Sequence, residues 1–167
     1  HGVERRQRQM CIRDRSGRHL ALDPKLAQAG LVFCDYNEAE KKHPDFIAQY
    51  SGKIVPPTDG KFAAAALGLA EYGLVLRVPR SLRAEQPLYT RLDAGTSGSA
   101  AFSHSLIHLE AGASAVLVLD YRSSSAMGSA KNRLHLGVLE VKLEAGAELT
   151  LVELQQFTPD VWNITHE

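Results

Sequence analysis

Leu109-Glu110-Ala111-Gly112-Ala113 returns as Leu143-Glu144-Ala145-Gly146-Ala147, and the sequence on either side returns with it. Aligning the copies puts Ile107 on Val141, Leu109 on Leu143, Ala115 on Leu149 and Leu117 on Leu151, so the apolar phase is shared. Such an internal repeat decides the fold ahead of any single-residue signal. In the second copy Leu139, Val141 and Leu143 alternate with Glu140 and Lys142, the period of a strand with one buried face. The Ala-Gly-Ala corner carries no bulky side chain, so the backbone can bend tightly and the next coil can lie directly on it. The unit reads as strand, tight turn, strand, and it predicts stacked coils rather than hairpins.

One such unit cannot bury its apolar face alone and needs copies above and below it. A degenerate earlier copy runs from Gly73 to Tyr89, where Leu74, Leu76 and Val78 alternate with Val75 and Arg77 before a Val-Pro-Arg-Ser corner. The chain ends Trp162-Asn163-Ile164-Thr165-His166-Glu167, which reads as a stack cut short, with Val161, Trp162 and Ile164 left uncovered.

The 167 residues are enough for one domain with a core, and 44% apolar with 23% charged residues is the balance of a soluble globular protein. No apolar run approaches a membrane span, so neither a secreted nor a membrane protein is expected. The start is different in kind: Arg5-Arg6-Gln7-Arg8-Gln9-Met10-Cys11-Ile12-Arg13-Asp14-Arg15 has no apolar period and no helix cap. It resembles the read-through translation of a transposon-type sequencing adapter, so residues 1–15 are set apart from the fold and expected to be disordered. The rival reading is a basic arm for nucleic acid.

Over the whole chain 19 basic residues balance 19 acidic ones. Residues 1–15 hold five arginines against Glu4 and Asp14, so the remainder has 14 against 17, a net of −3. Without a basic stripe, binding to nucleic acid or to an anionic membrane is not indicated. Of the two cysteines, Cys11 lies in the excluded segment and Cys34 stands alone in Leu31-Val32-Phe33-Cys34. That gives neither a disulfide framework nor a paired-cysteine metal motif, and Cys34 reads as a small buried hydrophobe.

From Asp23 onward the chain reads as short helices. Asp23 can cap, Pro24 suits the first helical position and Gly30 can stop the turn. A short strand over Leu31 to Cys34 follows. Asp35 with Glu38 has capping spacing for a helix from Tyr36 to Lys42, which must end before His43-Pro44. Pro44 starts another helix with Phe46, Ile47 and Tyr50 on one face. Lys53 to Gly60 holds two prolines and is a rigid loop. Phe62 to Tyr72 reads as a helix closed by Gly73, and after Gly73 the period switches from helical to alternating. The division is therefore 1–15, a helical region 16–73, and a repeat core 74–167. Two Gly/Ser-rich stretches, Ala94 to Ala101 and Ser123 to Ala130, are surface loops without the ending or context of a phosphate-binding loop.

His104 and His108 share one face of a strand, but four residues of strand span about 13 Å, too far for both to hold one ion. In the repeat His108 falls on Lys142, an outward position, so a solvated histidine is expected there. His135 and His166 have no acidic or thiol partner at ligand spacing. Glu110 and Glu144 recur as any corner residue of a repeat would. Neither a Ser-His-Asp set nor a Gly-x-Ser-x-Gly elbow can be found. The motifs assign no catalytic, cofactor-binding or metal-ligating residue, and the chain does not read as an enzyme.

Gly30-Leu31-Val32-Phe33-Cys34-Asp35, His43-Pro44, Tyr50-x-Gly52-Lys53-x-Val55-Pro56-Pro57, Asp59-Gly60-Lys61-Phe62-Ala63-Ala64 and Val78-Pro79-Arg80, in that order, resemble the SufB/SufD family. These are scaffold proteins of the SUF iron–sulfur cluster assembly system. Leu119-Asp120-Tyr121-Arg122-Ser123 stands where a SufB-like Glu-Gly-Cys sequence is expected, and the run from Leu136 to Trp162 also fits SufD, so the resemblance is SufD-like and the chain an N-terminal fragment.

That resemblance implies a mostly β fold, a right-handed parallel β-helix, here truncated, preceded by a short helical region. It also implies a cytoplasmic scaffold acting with SufB and the ATPase SufC, through parts beyond this chain. The complex handles a nascent iron–sulfur cluster, ATP is bound by SufC, and no cofactor is expected in this stretch. The family's cluster-assembly Cys of SufB and His of SufD lie in later coils. SufB itself is the nearest alternative. A polysaccharide-acting β-helix enzyme is the rival from another class, disfavoured by 7% aromatic residues and a single tryptophan.

Overall fold

The computed structural model describes residues 22–94, 99–123 and 132–167. The expectation for residues 1–15 lies outside them, as do the central residues of both Gly/Ser-rich loops.

The helical region forms as its caps dictate. Asp23 accepts from the Lys25 N–H and Pro24 opens helix α1, Pro24–Gln28. Gly30, at φ +86°, turns the chain into strand β1, Val32–Asp35. The Asp35 carboxylate caps α2, Tyr36–Lys42, through the Asn37 N–H, and α3, Pro44–Tyr50, starts at its proline. After a short 3₁₀ turn at Pro57–Asp59 comes α4, Lys61–Leu69. This last helix is shorter than the sequence predicts. Glu71 N–H donates to the Phe102 carbonyl and His104 N–H to the Tyr72 carbonyl, so residues 71 and 72 are taken by a neighbouring strand instead. Gly73 then has a role no helix stop would give it. At φ +156° it passes so close to that strand that a Cβ would lie 1.7 Å from the His104 carbonyl oxygen.

Beyond Gly73 the chain alternates between two sheets. β2 (Leu74–Val78), β4 (Ala100–Leu109), β6 (Arg133–Leu143) and β8 (Val161–His166) join β1 in a sheet of order β1-β2-β4-β6-β8. β3 (Leu88–Asp93), β5 (Ser114–Arg122) and β7 (Glu148–Gln156) form the other, in the order β3-β5-β7. Every ladder is parallel except β1 with β2, where the antiparallel β1 covers that edge of the sheet. The registers pair Ile107 with Val141, Leu109 with Leu143, Ala115 with Leu149 and Leu117 with Leu151, the same pairs the sequence repeat aligns. The corners stack as their residues require: Gly112 and Gly146 sit at φ +71° and +70°, and the Gly112 N–H donates to the Ala145 carbonyl at 3.0 Å.

The main core lies between the sheets. Leu74, Leu76, Val78, Ile107, Leu109 and Leu139 from one side meet Leu88, Leu92, Leu117, Leu119 and Tyr121 from the other. The opposite face of the larger sheet is covered too. Cys34, Tyr36 and Ala39, with Phe46, Ile47 and Tyr50, pack on Val75 and Leu106. Ala63 and Ala66 of α4 pack on Leu136 and Val138, joined by the partly buried Ile164. Covering Leu106 or Leu136 in this way is worth about 1.5–3 kcal/mol each. Trp162, the next outward residue of β8, remains 67% exposed, as the sequence predicts, whereas Ile164 does not.

Candidate functional site

The face of the sheet beneath α2, α3 and the 51–57 loop gathers the ionisable residues. His104 and His108 lie on one side of β4, as the spacing predicts, but they are not solvated: they are 1% and 2% exposed. The helical region covers them. Tyr36 packs its ring 4.6 Å from that of His104, and Tyr50 lies 4.5 Å from His108, with Phe46 stacked at 5.8 Å.

Glu140 is the central group. Alternation along β6 marks it as outward, which it is, yet it is completely buried. Its Oε2 accepts from Gly52 N–H (2.8 Å) and from His104 Nε2 (2.7 Å), and its Oε1 accepts from Ile54 N–H (2.9 Å) and Val55 N–H (3.1 Å). Tyr50-x-Gly52-Lys53-x-Val55-Pro56-Pro57 explains why three amides are available: its glycine and prolines keep the segment out of helix and sheet, so the N–H groups need another acceptor. Burial alone raises a carboxyl pKa, but the His104 hydrogen bond and the three amides outweigh it and bring Glu140 down to about 2. One ionised carboxylate thereby fastens the loop of the helical region to the sheet, some 85 residues on in sequence.

The same relation recurs. His104 faces Val138 in register and its acid is Glu140; His108 faces Lys142 and its acid is Glu144, at 3.0 Å. Arg77 faces His108 and its acid is Glu110, at 2.9 and 2.6 Å. On the other sheet Tyr89 faces Val118 and donates to Asp120. In each case the carboxylate lies two residues beyond the donor's register partner, on the same face, within diagonal reach on a twisted sheet. At the corners the second carboxylate oxygen also accepts from the neighbouring corner: Glu110 Oε2 from Arg80 N–H (3.0 Å) and Glu144 Oε2 from Ala111 N–H (3.1 Å). The recurring glutamates, Glu110 and Glu144, are thus clamps between neighbouring strands and corners. With Asp45, Tyr50 and Arg77 they line a cleft of about 240 Å³ beside α3.

Between the sheets lies a second polar group. His135 is fully buried; Nδ1 donates to Asn163 Oδ1 (2.6 Å), so Nε2 accepts from the Ser103 hydroxyl (2.9 Å). Gly137 makes room for it, since a Cβ there would sit 3.1 Å from Ser103 Oγ. Burial lowers the His135 pKa, keeping the ring neutral, against a smaller opposing effect of Asn163. Ser, His and Asn stand in the order of a nucleophile, base and orienting group, but Ser103 is 2% exposed and walled in by both sheets, which offers a substrate no approach. At the mouth of this region Arg133 holds Asp160, whose carboxyl drops to about 2 because of that guanidinium.

Cys34 packs against Val75 and Leu106, and burial pushes its thiol up to about 12, which makes it a poor nucleophile. Among the described residues no group of three or more His, Cys, Asp or Glu is placed to hold a metal ion, and no helix is long and apolar enough to cross a membrane. Sequence reasoning missed Glu140 and His135. The available signal for Glu140 was the diagonal: it stands two residues past the position that the repeat pairs with His104.

Residues 91–167 match the family model of the SufBD core domain of the SUF system of iron–sulfur cluster assembly. An iron–sulfur cluster assembly SufBD family protein of Arabidopsis thaliana is 32% identical over 127 residues, covering 74% of this chain and 26% of its own length. A SufBD family protein of Synechocystis is 31% identical over 135 residues, 80% of this chain and 27% of its own. The iron–sulfur cluster assembly protein SufB of Bacillus subtilis is 30% identical over 141 residues, 83% and 29%. The chain therefore spans a little over a quarter of the length of these relatives. The matched core domain, the stacked strand registers and the Tyr50 to Pro57 motif seated on Glu140 agree in placing this chain in the SufB/SufD family of iron–sulfur cluster assembly proteins.

Proposed function

We propose that this chain belongs to a SufD-like scaffold subunit of the SUF system, which works with SufB-like and SufC-like partners in the cytoplasm and catalyses no reaction itself. The family match over 91–167 carries this reading. The strands alternate between two parallel sheets with coil-to-coil registers, which supports the parallel β-helix of the family resemblance, and a parallel crossover is almost always right-handed. The iron–sulfur cluster is the assembly's product, and ATP belongs to the SufC partner, so no resident cofactor is assigned to these residues. The ionisable groups described above support a structural role, because their hydrogen bonds are spent within the fold.

Leu119-Asp120-Tyr121-Arg122 supports SufD over SufB, since Asp120 is used as an anchor for Tyr89 and Arg122 and no thiol stands there. The similarity to the Bacillus subtilis SufB makes SufB the second reading. Co-expression of the full natural protein with tagged SufC and SufB tests the proposal. Recovery of all three in one complex is expected; absence of this chain from a SufB–SufC preparation would refute it. Anaerobic reconstitution with iron and sulfide separates the readings: a SufD-like chain alone takes up no stoichiometric cluster, whereas a SufB-like one does.

A further inference from the structure

The cleft beside α3 contains a buried nitrogen that the clamps leave unused. His108, 2% exposed, lines the cleft, and its Nε2 donates to Glu144. In the neutral ring that leaves Nδ1 as a bare acceptor, and among the described residues nothing donates to it. A buried acceptor in that state points to a bound donor, either water or a ligand. Asp45 and Tyr50 of α3 line the same cleft, and among the described residues neither the carboxylate nor the hydroxyl has a hydrogen bond. Three free acceptors from two elements therefore border one space. The charge there is one-sided. Asp45, Glu110 and Glu144 set three carboxylates against the one guanidinium of Arg77, which Glu110 already holds. Lys142 stands outside the lining, its Nζ 5.0 Å over the Tyr50 ring, and with it counted the balance is still negative. The volume of about 240 Å³ lies below the roughly 300 Å³ at which drug-sized pockets begin, so the occupant is small.

We propose that this cleft binds a primary alkylammonium group, its three N–H donors shared among the Asp45 carboxylate, the Tyr50 hydroxyl and His108 Nδ1. An ammonium has three donors and no acceptor, which matches free groups that can all accept. Its carbon stem has an apolar wall to lie on, since the rings of Phe46 and Tyr50 flank His108 at 5.8 and 4.5 Å. Water would satisfy Nδ1 but would leave the excess negative charge unanswered, and an anion would add to it. A metal ion matches less well, because no group of three His, Cys, Asp or Glu among the described residues is placed to hold one. The same chemistry has two sources, a small free diamine and a lysine side chain of another protein. The site stands apart from the choice between SufD and SufB.

Ligand-observed NMR titration of the full natural protein with putrescine and with Nα-acetyl-lysinamide tests it. Saturable binding with a Kd of about 1 mM, ordinary for a ligand of so few atoms, is expected for at least one of them, and the tighter of the two identifies the source. Acetylating the side-chain nitrogen of the lysine compound removes its charge and should abolish its binding. Asp45→Asn, at an exposed position, should weaken binding about tenfold without touching the core. His108→Phe keeps a ring beside Phe46 and Tyr50 and should weaken binding by a similar factor, with the far-ultraviolet circular dichroism of the parent retained. If that variant does not fold, Asp45→Asn and Tyr50→Phe decide. No saturable binding of either amine, equal binding of the acetylated compound, or binding unchanged in Asp45→Asn or in folded His108→Phe overturns the site.

Discussion

The outer faces of the two sheets are built from similar residues and are treated differently. On β4 and β6 the outward side chains include His104, Leu106, His108, Leu136, Val138 and Glu140; on β5 and β7 they include Val118, Asp120, Arg122, Val152 and Leu154. The first set is roofed by α2, α3, α4 and the 51–57 loop, and its polar members are buried and hydrogen-bonded, although His108 Nδ1 has no partner among the described residues. Among the described residues the second set has no such roof; Val152 and Leu154 are 38% and 37% exposed. Asp120 is the instructive member. It is fully buried on the uncovered face, because Tyr89 and Arg122 reach across it from neighbouring positions, and Arg122 chiefly holds its carboxyl below the usual range. A carboxylate can thus be sealed by another segment or by its own neighbours, and the two cases differ in what is lost when it is removed.

The largest effect is expected at the roof. Glu140→Ala strands His104 and three backbone amides without water to replace the acceptor, and should cost about 3–5 kcal/mol, the range for breaking one side of a buried charged network. Denaturant unfolding measures it, and fast hydrogen exchange at Gly52, Ile54 and Val55 should accompany it. A loss below about 1 kcal/mol, the size of an ordinary net hydrogen bond, would mean that the loop is not held through Glu140.

Acid should open the same roof. The folded pKa of Glu140 lies near 2, below its ordinary 4.5, so the unfolded chain binds the extra proton as pH falls through that window. Stability from this group is therefore present above about pH 4.5 and lost progressively toward pH 2. His135 adds a loss of the same sign at higher pH: its lowered pKa means that below its ordinary 6.5 the unfolded state takes up the proton first. Urea midpoints from pH 7 to 2 should decline in these two stages, with the lower one reduced in Glu140→Gln to the part that Asp160 and the other lowered carboxyls contribute.

On the uncovered face the same deletion should matter less. Asp120→Ala leaves Arg122, which is partly exposed, able to turn to solvent and takes one hydrogen bond from Tyr89, and about 1 kcal/mol is expected. Leu154→Ser, at a half-exposed position, should fall within about 0.5 kcal/mol, and it sharpens the contrast by reporting the face without its anchor. If Asp120→Ala proved as costly as Glu140→Ala, the distinction between roof and self-sealed face would collapse.

The repeat Leu109 to Ala113 and Leu143 to Ala147 was enough by itself to establish the strands, their corner and their register, because strand period and glycine turns are local properties that stacking merely repeats. Asp23, Asp35, Pro24 and Pro44 likewise announced helix starts, since a cap acts within three residues of itself. Tertiary structure decided the rest. The end of α4 moved because β4 claimed Glu71 and Tyr72, and Gly73 proved to be a backbone crossing. His104, His108 and Glu140 carry the polarity of a solvated face and became interior, since whether an outward face meets water depends on a segment some 85 residues earlier. Periodicity specifies which way a side chain points; only packing specifies what it meets there.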